Sequence, residues 1–292
     1  MKETTRRTIT RRTACCAGWV LFGALAAGCS SSGDHADPTS SSAGAHTSAT
    51  VSGTARGIRV VVSGDVPDAR LREVLRDAQT AGRRVRQVWG RSVLTGTTRI
   101  DVPADEEGFR RHGGSVEPGA QIAATTTADD RVVLAPSLFT DVTSQGRVVV
   151  LTHELTHVAL HQAASVDIRR WVVEGAAEFT AYRATRLGLA RLAPQLAAAV
   201  RAGRVPAGPP SDARFRSAPQ AAYQEAYAWC AFLVDRFGLE RFTDFVRSAA
   251  PTAGADDFAA TFGASVASQR GPFGAFLRAR VGVETAASRP GG

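Results

Sequence analysis

Val148 to Gln162 reads VVVLTHELTHVALHQ, an apolar run that carries His153, Glu154 and His157 in an H-E-x-x-H arrangement. On a helix, residues four apart share a face one turn apart, so both imidazoles can reach one ion. Zinc takes such nitrogens at about 2.0–2.1 Å, and the glutamate after the first histidine points at the open coordination position. Val148, Val149, Val150, Leu151, Leu155, Val158, Ala159 and Leu160 surround the motif and predict a buried helix. So short a string also arises by chance in ordinary helices, so its meaning rests on what accompanies it.

A catalytic zinc site uses three protein ligands and leaves a fourth position for water. The third candidate is Glu174, in Trp171-Val172-Val173-Glu174-Gly175-Ala176-Ala177-Glu178-Phe179, seventeen positions after His157. That gap lets the first helix end, turn and send an antiparallel partner back alongside. Gly175 and the two alanines keep the partner thin, which favours close approach to the motif helix. Glu178 lies one turn beyond Glu174 on the same face, placed to accept a hydrogen bond from a ligand imidazole and fix its tautomer. Glutamates on helices are more often solvated face charges; the E-G-A-A-E context behind H-E-x-x-H favours the ligand reading. His161 follows His157 by four, but three ligands at i, i+4 and i+8 span about 12 Å of helix. No glycine lies between His157 and His161 to turn the chain back, so His161 reads as a helix-end or supporting residue.

These blocks resemble the gluzincin metallopeptidases, especially the bacterial peptidase-MA-like group and, more distantly, the aminopeptidase-N-like enzymes. H-E-L-T-H followed by W-x-x-E-G-x-A-E-[FY] carries the resemblance, together with Ala222 to Gly238, AYQEAYAWCAFLVDRFG. The similarity covers about Ala120 to Gly238. It implies one zinc ion held by His153, His157 and Glu174, with Glu154 as general base and then acid. It also implies a tyrosine stabilising the oxyanion, a role that falls on Tyr223, with Tyr227 one turn later as the backup. The implied fold is α+β and zincin-like: a small mixed or antiparallel sheet before a mainly helical lobe, with the active site between them. The implied activity is zinc-dependent peptide-bond hydrolysis. The absence of a G-x-M-E-N string leans toward an endopeptidase acting on peptide or protein. A catalytically inactive zincin-fold binding lipoprotein and a zinc amidase acting on cell-wall peptides are the rival readings. A structural metal site fits less well, because structural zinc prefers four protein ligands.

The 292 residues suffice for one large domain or two small ones. Half of the formal +8 charge lies in the first thirteen residues, and Lys2 is the only lysine. The remaining arginines are scattered without interleaved aromatics, which argues against nucleic-acid binding. Residues 1–28 have the parts of an export signal: basic residues, an apolar stretch from Ala14 to Gly28, and a small-residue end. Fifteen residues are too few for a comfortable permanent span. Leu25-Ala26-Ala27-Gly28-Cys29 resembles a lipobox, which would lipidate Cys29 and anchor the chain outside the membrane; without lipidation the chain would be secreted. Arg6-Arg7 and Arg11-Arg12 suit twin-arginine export, though ordinary leaders also hold such pairs. Residues 29–57 are rich in Ser, Thr, Gly and Ala and read as a disordered tether. The catalytic domain is expected over 58–283, followed by a loose tail at 284–292.

Within that domain, strands are expected at Ile58–Gly64, Thr97–Val102, Ala120–Thr127 and Arg131–Ala135, with a long helix over Asp68–Trp89. The Ala120–Thr127 strand is a candidate edge for binding peptide by main-chain pairing. Further helices are expected after the motif, with a loop over Gly203–Pro219. Cys230, in the apolar stretch Ala228–Val234, reads as a small buried hydrophobe.

Overall fold

The computed structural model describes residues 16–18, 48–115, 122–164, 168–248 and 255–287. Its N-terminal half is a mixed sheet and its C-terminal half is helical, the α+β arrangement expected. The strands are β1 (Cys16–Gly18), β2 (Ala49–Ala55), β3 (Ile58–Gly64), β4 (Thr97–Val102), β5 (Ala124–Thr126) and β6 (Arg131–Leu134), in the order β1-β5-β6-β4-β3-β2. β3 pairs parallel with β4 and β4 parallel with β6, while the β2–β3, β5–β6 and β1–β5 pairs are antiparallel. In β3, Ile58, Val60 and Val62 are buried and alternate with more exposed Arg59, Val61 and Ser63, so one pleat face builds the core.

β2 corrects the expected tether, because the fold begins before Ile58. Its β-branched Thr50, Val51 and Thr54 suit a strand, and Arg56 and Gly57 turn the chain at positive φ, so Ala49–Ala55 pairs back along β3. The rest of the tether, Cys29 among it, lies outside the described residues. So does the export signal apart from β1, which pairs along β5 with Cys16 opposite Thr126.

Helix α1 (Asp68–Trp89) links the parallel strands β3 and β4 and buries Leu71, Val74, Ala78, Val85 and Trp89. It is followed by α2 (Glu106–Arg111), and the motif helix is α3 (Ser144–Leu160). After it come α4 (Arg170–Arg183), α5 (Leu189–Leu192), α6 (Pro194–Arg201), α7 (Asp212–Ser217), α8 (Pro219–Phe237), α9 (Leu239–Ser248), α10 (Ala255–Phe262) and α11 (Arg270–Ala287). Pro194 starts α6 at its first turn, so the single helix expected over Ala190–Ala202 is divided in two. α7 interrupts the expected loop over 203–219. α11 runs through Ala287, into the stretch expected to be a loose tail; residues 288–292 lie outside the described ones. Among the described residues no helix is long and apolar enough to cross a membrane.

Four polar contacts fasten the halves together. The buried Arg147 of α3 donates to Asp77 of α1 at 3.1 Å and pairs with Glu73. Trp89 Nε1 donates to Thr180 Oγ1 of α4 at 3.0 Å, and the Trp89 carbonyl accepts from Arg247 of α9. Beyond them, Trp171, Trp229, Phe245, Phe258 and Phe273 fill the helical half with ring contacts of 4.9–6.4 Å.

Candidate metal centre

Thr143 caps α3, its hydroxyl accepting from the Gly146 N–H at 3.2 Å. The helix is buried along nearly its whole length, against α1, α4 and β5. His153, Glu154 and His157 are therefore fully enclosed, and Glu174 reaches them from α4 with 2% exposure. The Nε2 atoms of His153 and His157 are 3.1 Å apart, and Glu174 Oε2 lies 3.5 Å from the first and 3.8 Å from the second. Donors held about 2.0–2.1 Å from a tetrahedral zinc lie roughly 3.3–3.4 Å from one another. The triangle has that size. Glu174 Oε2 is also a buried oxygen with no hydrogen-bond partner, which a cation at the centre of the triangle would satisfy.

The other nitrogen of each imidazole is engaged. His153 Nδ1 lies 3.1 Å from Glu178 Oε1, at ion-pair distance rather than in an aligned hydrogen bond. His157 Nδ1 is 3.2 Å from Gln162 Oε1. Glu178 stands where the sequence put it; Gln162 is a residue the sequence reading missed. It reaches His157 because α3 ends in a left-handed cap at His161 (φ 51°, ψ 40°), so the chain folds back and the Gln162 N–H donates to the His157 carbonyl at 3.1 Å. His161 is thus a helix-end residue, as expected; its imidazole is 80% exposed and pairs with Asp130 in the β5–β6 turn.

Glu154 is fixed from the sheet. Thr126 Oγ1 of β5 donates to Glu154 Oε2 at 2.6 Å, leaving Oε1 buried without a hydrogen-bond partner. Burial raises the Glu154 carboxyl to about 7 against the opposing pull of His153 and Thr126. Burial would depress the His153 imidazole, yet the Glu174 and Glu178 carboxylates outweigh it and lift it to about 10. His157 falls to about 4, through burial and the charge on His153. Glu174 stays below the ordinary carboxylate range, because His153, His157 and Arg170 overcome its burial. Burial raises Glu178 despite His153. In metal-free protein the cluster thus keeps one imidazole charged and the other neutral.

Gly175 plays a different part from the one expected. An added Cβ there would stand 2.7 Å from Cys230 Sγ and 3.0 Å from the Ala226 carbonyl oxygen, so the bare position admits α8, not the motif helix. Cys230 is a buried small hydrophobe whose thiol is raised by burial.

Tyr223 is linked to the candidate ligands through Arg170. It is fully buried, and its hydroxyl is 3.4 Å from Arg170 Nη2, while Arg170 Nε is 3.7 Å from Glu174 Oε1. Burial and the nearby Glu174 raise the phenol well above its ordinary value. Tyr227 instead packs its ring on Tyr182 at 5.9 Å, in a side cluster with Val149 and Leu192.

No family model matches the sequence, and no curated protein is similar to it in sequence. Among solved structures, a mutant M1 zinc metallopeptidase from Deinococcus radiodurans is similar at 16% identity with a TM-score of 0.45, over 80% of this chain and 52% of that one. A mutant two-domain M1 zinc metallopeptidase bound to L-arginine is similar at 16% identity with a TM-score of 0.40, over 82% of this chain and 50% of that one. The chain spans about half the length of these proteins.

Proposed function

We propose that this chain is a zinc-dependent peptide-bond hydrolase, an endopeptidase, held outside the cell membrane through a lipid on Cys29. One observation carries the reading: three buried donor atoms, His153 Nε2, His157 Nε2 and Glu174 Oε2, sit 3.1–3.8 Å apart beside a fourth buried acid, Glu154. A zinc ion held by these three residues supplies Lewis acidity toward water and a scissile carbonyl.

The remaining work belongs to the chain. Glu154, buried beside the three donor atoms, is the acid placed for proton transfer. Thr126 holds one of its oxygens, so Oε1 is the atom that takes a proton from the attacking water and passes it to the leaving amine. Glu178 and Gln162 keep the ligand imidazoles oriented. Tyr223 supplies a hydroxyl for the oxyanion. An extended peptide would take the place of β1 against β5, since that edge accepts an antiparallel strand in register with Thr126. Removal of the export signal would free that edge.

The test is zinc analysis of the exported protein, followed by its turnover of a mixed peptide library and of muropeptides. The wild type is expected to hold one zinc and cleave peptides. Glu154→Gln is expected to keep the zinc and lose about 10²–10⁴-fold in rate. Undiminished hydrolysis by Glu154→Gln removes the assigned base. Digestion of muropeptides alone would move the substrate to the cell wall.

A further inference from the structure

Arg170 opens α4 one turn before Glu174, at the border between the buried ligand set and solvent, with 31% of its side chain exposed. Its backbone N–H donates to Asp212 Oδ1 at 3.1 Å, and its guanidinium lies 5.1 Å from the centre of the Phe215 ring. Both partners belong to α7, so that helix fixes where the arginine stands. Phe215 in turn meets the Tyr223 ring edge-on at 5.3 Å. From this position the guanidinium reaches two groups at once: the Tyr223 hydroxyl at 3.4 Å and Glu174 Oε1 at 3.7 Å.

Each contact selects one of two arrangements. A guanidinium has only donors, so in its contact with Tyr223 the phenol oxygen must accept. The phenol's own hydrogen is then directed away from Arg170, and the charged donor polarises that O–H bond. On Glu174, the charge draws Oε1 outward, which turns Oε2 toward the two imidazoles, the atom found 3.5 and 3.8 Å from them. One cation therefore orients the third ligand and the oxyanion donor together. Packing against α7 alone would need neither contact.

We propose that Arg170 is a positioning residue for the hydrolytic reaction, setting the proton direction of Tyr223 and the metal-facing oxygen of Glu174. The inference rests on the zinc-hydrolase reading of the site. It identifies a residue that no part of the H-E-x-x-H or E-G-A-A-E pattern contains.

The test combines a double-mutant cycle with zinc titration on the full exported chain, using Arg170→Met, Arg170→Lys, Tyr223→Phe and Arg170→Met/Tyr223→Phe. Arg170→Met is expected to lower kcat about tenfold at nearly constant KM, less than the ~10²–10³ lost on removing an oxyanion donor outright. In the Tyr223→Phe background the same change should cost less than about twofold, the mark of groups that act as a unit. Arg170→Lys, which keeps a charged donor, should recover part of the rate. Independently of turnover, chelator competition should show zinc affinity falling about tenfold in Arg170→Met and unchanged in Tyr223→Phe. A purely structural arginine would lower the melting temperature, leave zinc affinity alone, and give additive losses in the cycle; that pattern overturns the proposal. If the wild type binds zinc but hydrolyses nothing, the peptidase reading fails while the zinc arm still decides on Arg170 and Glu174. If it takes up no zinc, both fall.

Discussion

Gly175→Ala is the substitution whose effect the structure fixes most narrowly. The new methyl carbon would lie 2.7 Å from Cys230 Sγ and 3.0 Å from the Ala226 carbonyl oxygen, the second of which is backbone of α8. Favourable carbon contacts begin near ~3.5 Å, so α4 and α8 must separate by about half an ångström or more. Overpacking costs about 1–3 kcal/mol, and a clash with backbone, which cannot swing away like a side-chain end, puts this site at about 2–3 kcal/mol of that range. Replacing glycine by alanine inside a helix returns about 1 kcal/mol. The net expectation is a loss of about 1–2 kcal/mol, or a melting temperature lower by about 2–8 °C. Because Glu174 is the adjacent residue, zinc affinity should fall as well. Two companions sharpen the assay. Gly282→Ala, in α11, meets nothing within 4 Å and should not destabilise. Cys230→Ala combined with Gly175→Ala removes the sulfur contact but not the carbonyl, so it should restore part of the loss. Thermal and urea unfolding read all of these. If Gly175→Ala is as stable as the parent, or gains stability as Gly282→Ala does, the helices do not meet as described.

The site yields two further expectations. Gln162→Ala should weaken zinc binding by about 10–100-fold without changing the helical content, measured by chelator competition and circular dichroism; unchanged affinity would mean that the His157 contact is idle. With His153 raised to about 10 and His157 lowered to about 4, the metal-free protein at pH 7 carries a proton on His153 and none on His157. Zinc must displace that proton, so binding at pH 7 should release at least about one, read by calorimetry in buffers of different ionisation enthalpy. The sign for stability follows from the same shift. A folded value above 6.5 means that the His153 contribution is full below pH 6.5 and is lost as pH climbs toward 10.

How much of this could be read from the sequence depended on how local the signal was. The candidate site residues declared themselves because each pair is spaced by one turn of helix: His153 with His157, Glu174 with Glu178. α1 was legible for the same reason, its apolar residues repeating at helical spacing over 22 residues. Gln162 was not legible, because its approach to His157 depends on a left-handed cap at a histidine rather than at the glycine that usually marks one. β2 was hidden by small residues that look like tether until β3 supplies a partner. The side of α4 on which Gly175 mattered, and the reach of Arg170 to both Tyr223 and Glu174, are tertiary facts. No spacing along the chain encodes them.

The contacts of α1 bear on how a long polypeptide could enter. That helix is riveted at its middle to the motif helix through Arg147, and at its end to α4 and α9 through Trp89. A hinge running between sheet and helices would have to shear these joints, leaving a buried arginine and an indole N–H stranded. The body of the protein therefore behaves as a vice already tightened rather than a jaw, and under the proposed function room for substrate has to come from rearrangement at the rim.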